Sequence, residues 1–506
     1  MSEPVGTAGG SSPAAQLAIG TSLVLAGQVA FVACGYVLHF YTSRALDALA
    51  FGTYGVIIGV LNWIQNALNN GIPWAARRYL AADPEAAPQI LQNGLRWQMI
   101  IGALLFAASF LLAPGFASLT ADDALAPYLR LAVIDLLTMA LYTFYRGALN
   151  GFRLFAAQGA SLAVYAAAKL LFTILLVHRG YGLAGALVGN IMGTLSGWLL
   201  SWWLLRRFVR RTGVAHRQGT SRYGGRTLLT FALPTVLFTL ASSFLTTVGL
   251  VAVKAVVQDG QLLAYYSAAH QLALAPTLLL VTFSWTLFPL LARSIAEGDA
   301  ALARTYLGTA LRLLALVLVP GIALILGTSP RLLSLVYPAQ FEAAAPLLNL
   351  LFLGTGLYSV YMVFANAVLA EGRTALAVGV PCMLVPISSG ATWYLTRAVG
   401  PVGAALAAAA TTGVAAVALG TYVWRRFALQ PDWRSLLRIA AASLALFVLT
   451  RVYSPQGVLL VVFYVVLAAA YVLLLLVGGE ISWRDVRHWH CQLRHLLRPR
   501  NATGRT

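Results

Sequence analysis

An all-α integral membrane protein of about fourteen transmembrane helices, built as two parallel six-helix repeats followed by two further helices, is the fold the sequence predicts. Three observations carry that prediction. The apolar runs have the length of bilayer spans, the connections between them alternate in charge, and landmarks from the first half recur in order in the second.

Of the 506 residues 60% are hydrophobic and 10% charged, with a mean hydropathy of +0.79. Soluble domains carry roughly 25% charged residues, so a soluble enzyme is excluded. The runs are also too long for barrel strands, which would alternate. A net charge of +19 would suggest nucleic acid in a soluble protein, but here the positive-inside rule accounts for it. Cys34, Cys382 and Cys491 are scattered and form neither a disulfide framework nor a metal cluster.

The apolar segments run approximately 18–41, 54–76, 97–118, 128–149, 158–178, 183–205, 228–252, 263–291, 306–327, 345–370, 375–396, 401–424, 436–453 and 457–478. Connections after odd-numbered segments carry little beyond Arg44, Arg179, Lys254, Arg331 and Arg397. Those after even-numbered ones hold Arg77, Arg78, Arg153, a cluster from Arg206 to Arg226, Arg293, Arg373, Arg425 and Arg426. With an even number of spans, that asymmetry places both termini in the cytoplasm. The chain then divides into a short disordered lead (1–17), a first lobe (18–205), a basic linker (206–227), a second lobe (228–424), two extra helices (425–478) and a basic tail (479–506). In the tail, Trp483, Val486, Trp489 and Leu493 share one helical face, which suits a basic helix lying on the inner leaflet; a plain topological anchor fits equally.

The two lobes are repeats. Ile72-Pro73-Trp74-Ala75-Ala76-Arg77 returns as Phe288-Pro289-Leu290-Leu291-Ala292-Arg293, and Asp83 as Asp299. Arg179-Gly180-Tyr181-Gly182-Leu183-Ala184-Gly185 returns as Arg397-Ala398-Val399-Gly400-Pro401-Val402-Gly403, and Arg206-Arg207-Phe208 as Arg425-Arg426-Phe427. Six spans per unit make the repeat parallel, the architecture of alternating access.

Within the second segment Asn62, Gln65, Asn66, Asn69 and Asn70 stand at i, i+3, i+4, i+7 and i+8, so their carboxamides share one side of a helix. Hydrocarbon cannot satisfy them; they face either neighbouring helices or a water-filled cavity, and five in register suit a cavity wall. Ionisable residues inside segments cost about 2.5–3.5 kcal/mol each at mid-helix, and Asp135 and Lys169 are the first candidates among them. Asp135 and Lys169 fall at similar depths, either as a structural ion pair or with Lys169 as a ligand for an anion and Asp135 setting its charge. Arg44 and His39 at the end of the first segment, and His270 beside Tyr265 and Tyr266, are further candidates. Arg146 and Arg312 suit anchoring, and Tyr142, Tyr145, Tyr358 and Tyr361 could extend an aromatic wall. Gly180-Tyr181-Gly182-Leu183-Ala184-Gly185 fits the dinucleotide fingerprint but joins two membrane helices and reads as a tight turn. Gly193 and Gly197 form a small-residue packing face, and Asp122-Asp123 reads as a surface pair.

Several of these stretches together resemble the bacterial polysaccharide flippases. They are Arg44-Ala45-Leu46-Asp47 leading to Phe51-Gly52-Thr53-Tyr54-Gly55, Arg146-Gly147 to Asn150-Gly151-Phe152-Arg153, Ala232-Leu233-Pro234, Ala264-Tyr265-Tyr266 to His270, and Leu335-Val336-Tyr337-Pro338 to Phe341-Glu342. Their order over nearly the whole chain is similar to that of Wzx-type O-antigen and exopolysaccharide translocases of the MOP exporter superfamily, with MATE-like lobes. Where relatives often carry an aspartate late in the seventh helix, this chain has Lys254, which tells against cation coupling there. The resemblance implies passage of an undecaprenyl-diphosphate-linked oligosaccharide from the inner to the outer leaflet of the bacterial cytoplasmic membrane, not enzymatic chemistry. It implies no cofactor, with a proton, a sodium ion or the membrane potential as driving force. Membrane lipids, a polysaccharide polymerase and glycosyltransferases are the expected partners, and nucleic acid is not. In that reading Lys169 and Arg44 hold the diphosphate and the amides meet sugar hydroxyls. A lipid II flippase, a multidrug cation exporter, or a membrane polymerase or ligase are the alternatives.

Overall fold

The computed structural model describes residues 13–120, 122–212, 224–430 and 432–480. The tail from 481 on, with its amphipathic face, lies outside them. The described residues are helical throughout, with no strand. In the first half run α1 (Pro13–Ala45), α2 (Ala48–Asn70), α3 (Ile72–Ala82), α4 (Ala87–Leu119), α5 (Leu125–Val133), α6 (Asp135–Gly151), α7 (Phe155–Leu176) and α8 (Gly182–Thr212). The second half has α9 (Gly225–Val256), α10 (Gly260–Ala273), α11 (Ala275–Ala296), α12 (Ala300–Val336), α13 (Ala345–Ala370), α14 (Thr374–Val399) and α15 (Pro401–Phe427). Two more follow, α16 (Trp433–Val452) and α17 (Leu459–Val477).

Among the described residues eleven helical stretches are long and apolar enough to cross a membrane. The all-helical, multi-pass character is therefore as expected, while the figure of fourteen is not reached on this criterion. One stretch, Phe155–Thr212, holds two of the segments marked in the sequence, and α1 and α11 are not among the eleven.

Short-range chemistry explains the helix starts. In a chain with only 15 acidic residues, Asp47, Asp83, Asp259, Asp299 and Asp432 each turn a side-chain oxygen onto the uncapped N–H groups that open a helical segment. Asp83 and Asp299, paired in the repeat, do so at matching places. The glycine-rich stretch is a tight turn. Gly182 (φ 49°) opens α8 and its repeat partner Gly400 (φ 68°) opens α15. Both lie in the left-handed region, where a side chain is strained.

In the first half α7 packs against α1 and α8, and α8 against α6. In the second half α15 packs against α13 and α14, and α14 against α9. The halves meet where α2 lies along α9 and α10. The α7–α8 contact depends on small residues. A Cβ added at Gly193 would sit 2.6 Å from the Cβ of Lys169, and one at Gly197 would sit 2.8 Å from the Tyr142 ring. Helices α16 and α17 are held to α12 by the buried carboxylate of Glu480. It meets Arg312 (2.7 Å) and Arg438 (3.6 Å) and accepts a hydrogen bond from Ser435.

Replacing Gly193 by Val is expected to wedge α8 from α7 and cost about 1–3 kcal/mol. Gly390→Ala, at an exposed helical site with open space around it, is expected to stabilise by up to about 1 kcal/mol. Thermal unfolding of the detergent-solubilised protein, followed by tryptophan fluorescence, measures both. A neutral Gly193→Val would refute the close-packed α7–α8 contact.

Candidate functional site

A cavity of about 180 Å³ lies between the halves, walled by His39 of α1, one side of α2, and polar positions of α9 and α10. Asn62 and Asn66 face it from α2 beside Tyr54 and Trp63. Ser243, Thr246 and Thr247 face it from α9, and Ser267, His270 and Gln271 from α10. The imidazole Nε2 of His270 donates to the carbonyl of Thr246 (3.1 Å). His39 Nδ1 is buried and has no hydrogen-bond partner. A ring nitrogen left in that condition at a cavity wall is a group waiting for a ligand or a water.

The five amides of α2 part company. At 100° per residue their positions span an arc of about 140°, wider than the cavity wall. Asn62 and Asn66 occupy the middle of the arc and line the cavity. Gln65, at one edge, turns into the first half, where its Nε2 donates to Asp135 (2.9 Å). Asn70, at the other edge, bonds back to the carbonyl of Asn66 (3.1 Å). Asn69 is half-buried and lies one turn beyond the wall.

Asp135 is fully buried, and neutral donors surround it. Gln65 and Asn190 (2.6 Å) bond one carboxylate oxygen, while Thr138 (2.9 Å) and Thr194 bond the other. The structural ion pair with Lys169 is not formed. The ammonium interacts with Asp135 and with His39 only through the longer-range field. Lys169 is half-buried, stands behind the cavity wall, and has no hydrogen-bond or ion-pair partner among the described residues. Arg44 sits at the rim instead of the cavity. It donates to the carbonyl of Val336 in the second half (2.7 Å) and its guanidinium lies 3.7 Å from the Phe40 ring.

The aromatic wall is Tyr54, Phe51 and Trp63. Tyr266 is buried behind His270, its ring near parallel to the imidazole. Tyr142 lies against Tyr165 with the rings tilted inside the first half, and Tyr361 bonds Ser242 inside the second. The hydroxyl wall of α9 escaped the sequence reading, although Ser243, Thr246 and Thr247 stand at i, i+3 and i+4 in an apolar run, the same signal that marked α2.

The end of the molecule poor in arginine is closed. Lys254, at the end of α9, pairs with Asp122 of the first half at 2.6 Å and also approaches Thr53 (3.4 Å). Asp122 is thus half of a bridge between the halves, not a surface charge; the partners lie far apart in the chain, so local pattern could not join them. Phe51 fits against Tyr337 and Phe341 (5.9 Å to each), and Ser267 donates to the carbonyl of Gly52 (3.2 Å). Toward the arginine-rich end, Leu228 and Ala232 of α9 pack in one core with Ile72 and Phe144, and Trp63 Nε1 donates to the carbonyl of Leu240 (2.9 Å). The cavity is smaller than the roughly 300–1,000 Å³ of ordinary small-ligand pockets, so this is an occluded conformation.

The sequence profile of the polysaccharide biosynthesis protein family matches residues 17–295. No curated protein matches. Among solved structures, lipid II flippase MurJ in its inward closed conformation aligns with a TM-score of 0.70 at 14% identity, over 91% of this chain and 99% of that one. An inward-facing multidrug resistance MATE transporter of the MOP superfamily gives 0.66 at 15%, over 78% and 94%. A MOP superfamily transporter from Pyrococcus furiosus, described as having a binding pocket of reversed polarity, gives 0.59 at 16%, over 82% and 95%. At these identities the likeness is one of fold.

Breaking the Lys254–Asp122 bridge is expected to loosen the closed end. In a background lacking the native cysteines, Lys254→Met should speed labelling of Thr246→Cys by an impermeant maleimide, applied from the Lys254 side, by about tenfold. That factor corresponds to about 1.4 kcal/mol, within the range for partly buried interface pairs. An unchanged rate would mean the bridge does not control closure.

Proposed function

Because the chain belongs to the polysaccharide biosynthesis protein family, we propose that it is a flippase for undecaprenyl-diphosphate-linked oligosaccharide. It carries the glycolipid from the inner to the outer leaflet of a bacterial cytoplasmic membrane by alternating access. The arginine-rich end faces the cytoplasm, as the positive-inside rule requires, and both termini lie there. The observation that carries this reading is the cavity between the halves. Its described wall offers amides, hydroxyls and imidazoles and no carboxylate.

Sugar hydroxyls are donors and acceptors at once, and Asn62, Asn66, Ser243, Thr246 and Thr247 supply both kinds of partner. Tyr54 and Trp63 add apolar faces of the kind that pack against sugar rings. Lys169, unpaired behind His39, supplies positive charge for the diphosphate when the halves part, and Arg44 is released from Val336 at the same step. The polyprenyl tail stays in the bilayer. A multidrug cation exporter would need negative charge at the cavity, and Asp135 is held inside the first half by four donors. The fold shared with the lipid II flippase favours one second reading, a different sugar on the same polyprenyl diphosphate. A polymerase and glycosyltransferases acting on that glycolipid are the natural partners.

The driving force in this proposal is the membrane potential. Moving about two negative charges outward across an inside-negative membrane is favoured by roughly 4–5 kcal/mol per 100 mV. With Lys254 paired to Asp122, α9 offers no carboxylate for a coupling cation at that end.

Two measurements in proteoliposomes carrying fluorescent polyprenyl-diphosphate oligosaccharide test the proposal. Net flipping toward the positive side is expected to rise with an imposed potential and fall when its sign is reversed; indifference to sign would exclude charge-driven transport. Asn62→Ala combined with Asn66→Ala removes about two hydrogen bonds of about 1 kcal/mol each and is expected to weaken substrate handling about thirtyfold. Full activity in that variant would remove the cavity from the mechanism.

A further inference from the structure

At the arginine-rich end of the second half, away from the central cavity, lies an open depression of about 430 Å³ lined by Arg373, Thr421, Tyr422, Arg425 and Arg426. It has three guanidiniums and no acidic residue on its surface. Behind it stands Glu371, which caps α13 and is largely buried. One carboxylate oxygen of Glu371 accepts from Arg426 Nε (2.6 Å) and the other from the Tyr422 hydroxyl (2.7 Å), with Arg373 at 3.9 Å. Burial opposes the charge of Glu371, but Arg426, Tyr422 and Arg373 together hold its carboxyl below the usual range.

Glu371 therefore acts as a brace. It grips Arg426 by Nε and leaves the two terminal nitrogens of that guanidinium uncommitted. Arg425 has no partner among the described residues, and Arg373 lies over the Tyr422 ring at 5.3 Å. The site keeps two net positive charges after Glu371 is counted.

Topological stabilisation alone does not explain this arrangement. Arg425 and Arg426 close α15, where positive charge suits the helix dipole. Arg373 sits at the opposite kind of place. It precedes the first turn of α14, which no side chain caps, so its charge opposes the dipole, and an anion bound there would correct the mismatch. Gly372, with φ 85°, makes the turn that brings Arg373 back over Tyr422. The repeat provides an internal comparison. Arg206 and Arg207 occupy the matching helix end in the first half, but Gly151 stands two before Arg153 there, where Glu371 stands two before Arg373, so that end has no acidic brace.

We propose that this depression binds a phosphate group. Three planar guanidiniums converging on one depression match the fork geometry of phosphate oxygens, and two net charges match a phosphate dianion. The group arrives either on an anionic phospholipid of the adjacent leaflet or as a soluble phosphate. Trp424, directly before Arg425, is exposed and is of the aromatic type enriched at the headgroup level of membranes, and the depression is open to solvent as well.

Native mass spectrometry of the delipidated full-length protein in detergent tests this. Wild type is expected to retain phosphatidylglycerol at least fivefold better than phosphatidylcholine, and Arg425→Gln or Arg373→Gln/Arg425→Gln to abolish that preference. The charge-matched Arg206→Gln/Arg207→Gln variant should keep it. Because Arg425 holds no partner, its single replacement leaves the fold intact. Displacement of the lipid by millimolar inorganic phosphate would identify a soluble phosphate as ligand, and persistence of the lipid would identify the headgroup. Equal loss in both arginine pairs, or no preference in wild type, would overturn the site.

Discussion

The carboxyl group of Asp135 is fully buried, and much of the first half is arranged around that fact. Moving such a charge out of water is prohibitive unless its oxygens are hydrogen-bonded. Here the bonds come from three helices: Gln65 of α2, Thr138 of α6 itself, and Asn190 and Thr194 of α8. Each donor fixes the rotation of its helix about its own axis. Once Gln65 is turned inward, Asn62 and Asn66 point at the second half. The carboxylate thus sets the orientation of α2, and α2 sets the polarity of the cavity.

That arrangement divides labour between two kinds of contact. Inside a half, helices meet through small residues and saturated polar groups, as where Gly193 admits the stem of Lys169. Between the halves, the contacts at the arginine-poor end are an ion pair, a rim arginine on a carbonyl, two hydrogen bonds from Ser267 and Lys254 to Gly52 and Thr53, and an aromatic cluster. These can be broken without leaving hydrocarbon-buried backbone groups bare, because every helix keeps its own hydrogen bonds. The seam is therefore where the molecule can open.

The sequence was informative wherever a periodic or local rule applied. Apolar length gave the membrane class and the glycine-rich stretch was correctly a turn, while of the α2 stripe only Asn62 and Asn66 border the cavity, together with His270. The residues that sequence reasoning misplaced are those whose fate depends on distant partners. Whether an amide at the edge of an arc faces a cavity or a carboxylate is decided by Asp135, seventy residues away from Gln65. The ion pair expected of Lys169 and Asp135 is not formed, because four neutral donors hold the carboxylate. Asp122 looked like a surface charge because Lys254 lies 132 positions further on. The expected span count exceeded the eleven stretches partly because Phe155–Thr212 continues through a turn that the sequence treats as a break.

The small volume of the occluded cavity bears on hydration. A cavity of about 180 Å³ holds only a small number of waters, whereas a wider, open vestibule would take up many more. Parting of the halves is thus coupled to an influx of solvent, and the water activity on either side of the membrane becomes one of the variables that sets how often the protein opens. Crowded or dehydrating surroundings would hold it shut, linking how often the cavity opens to the osmotic state of its surroundings.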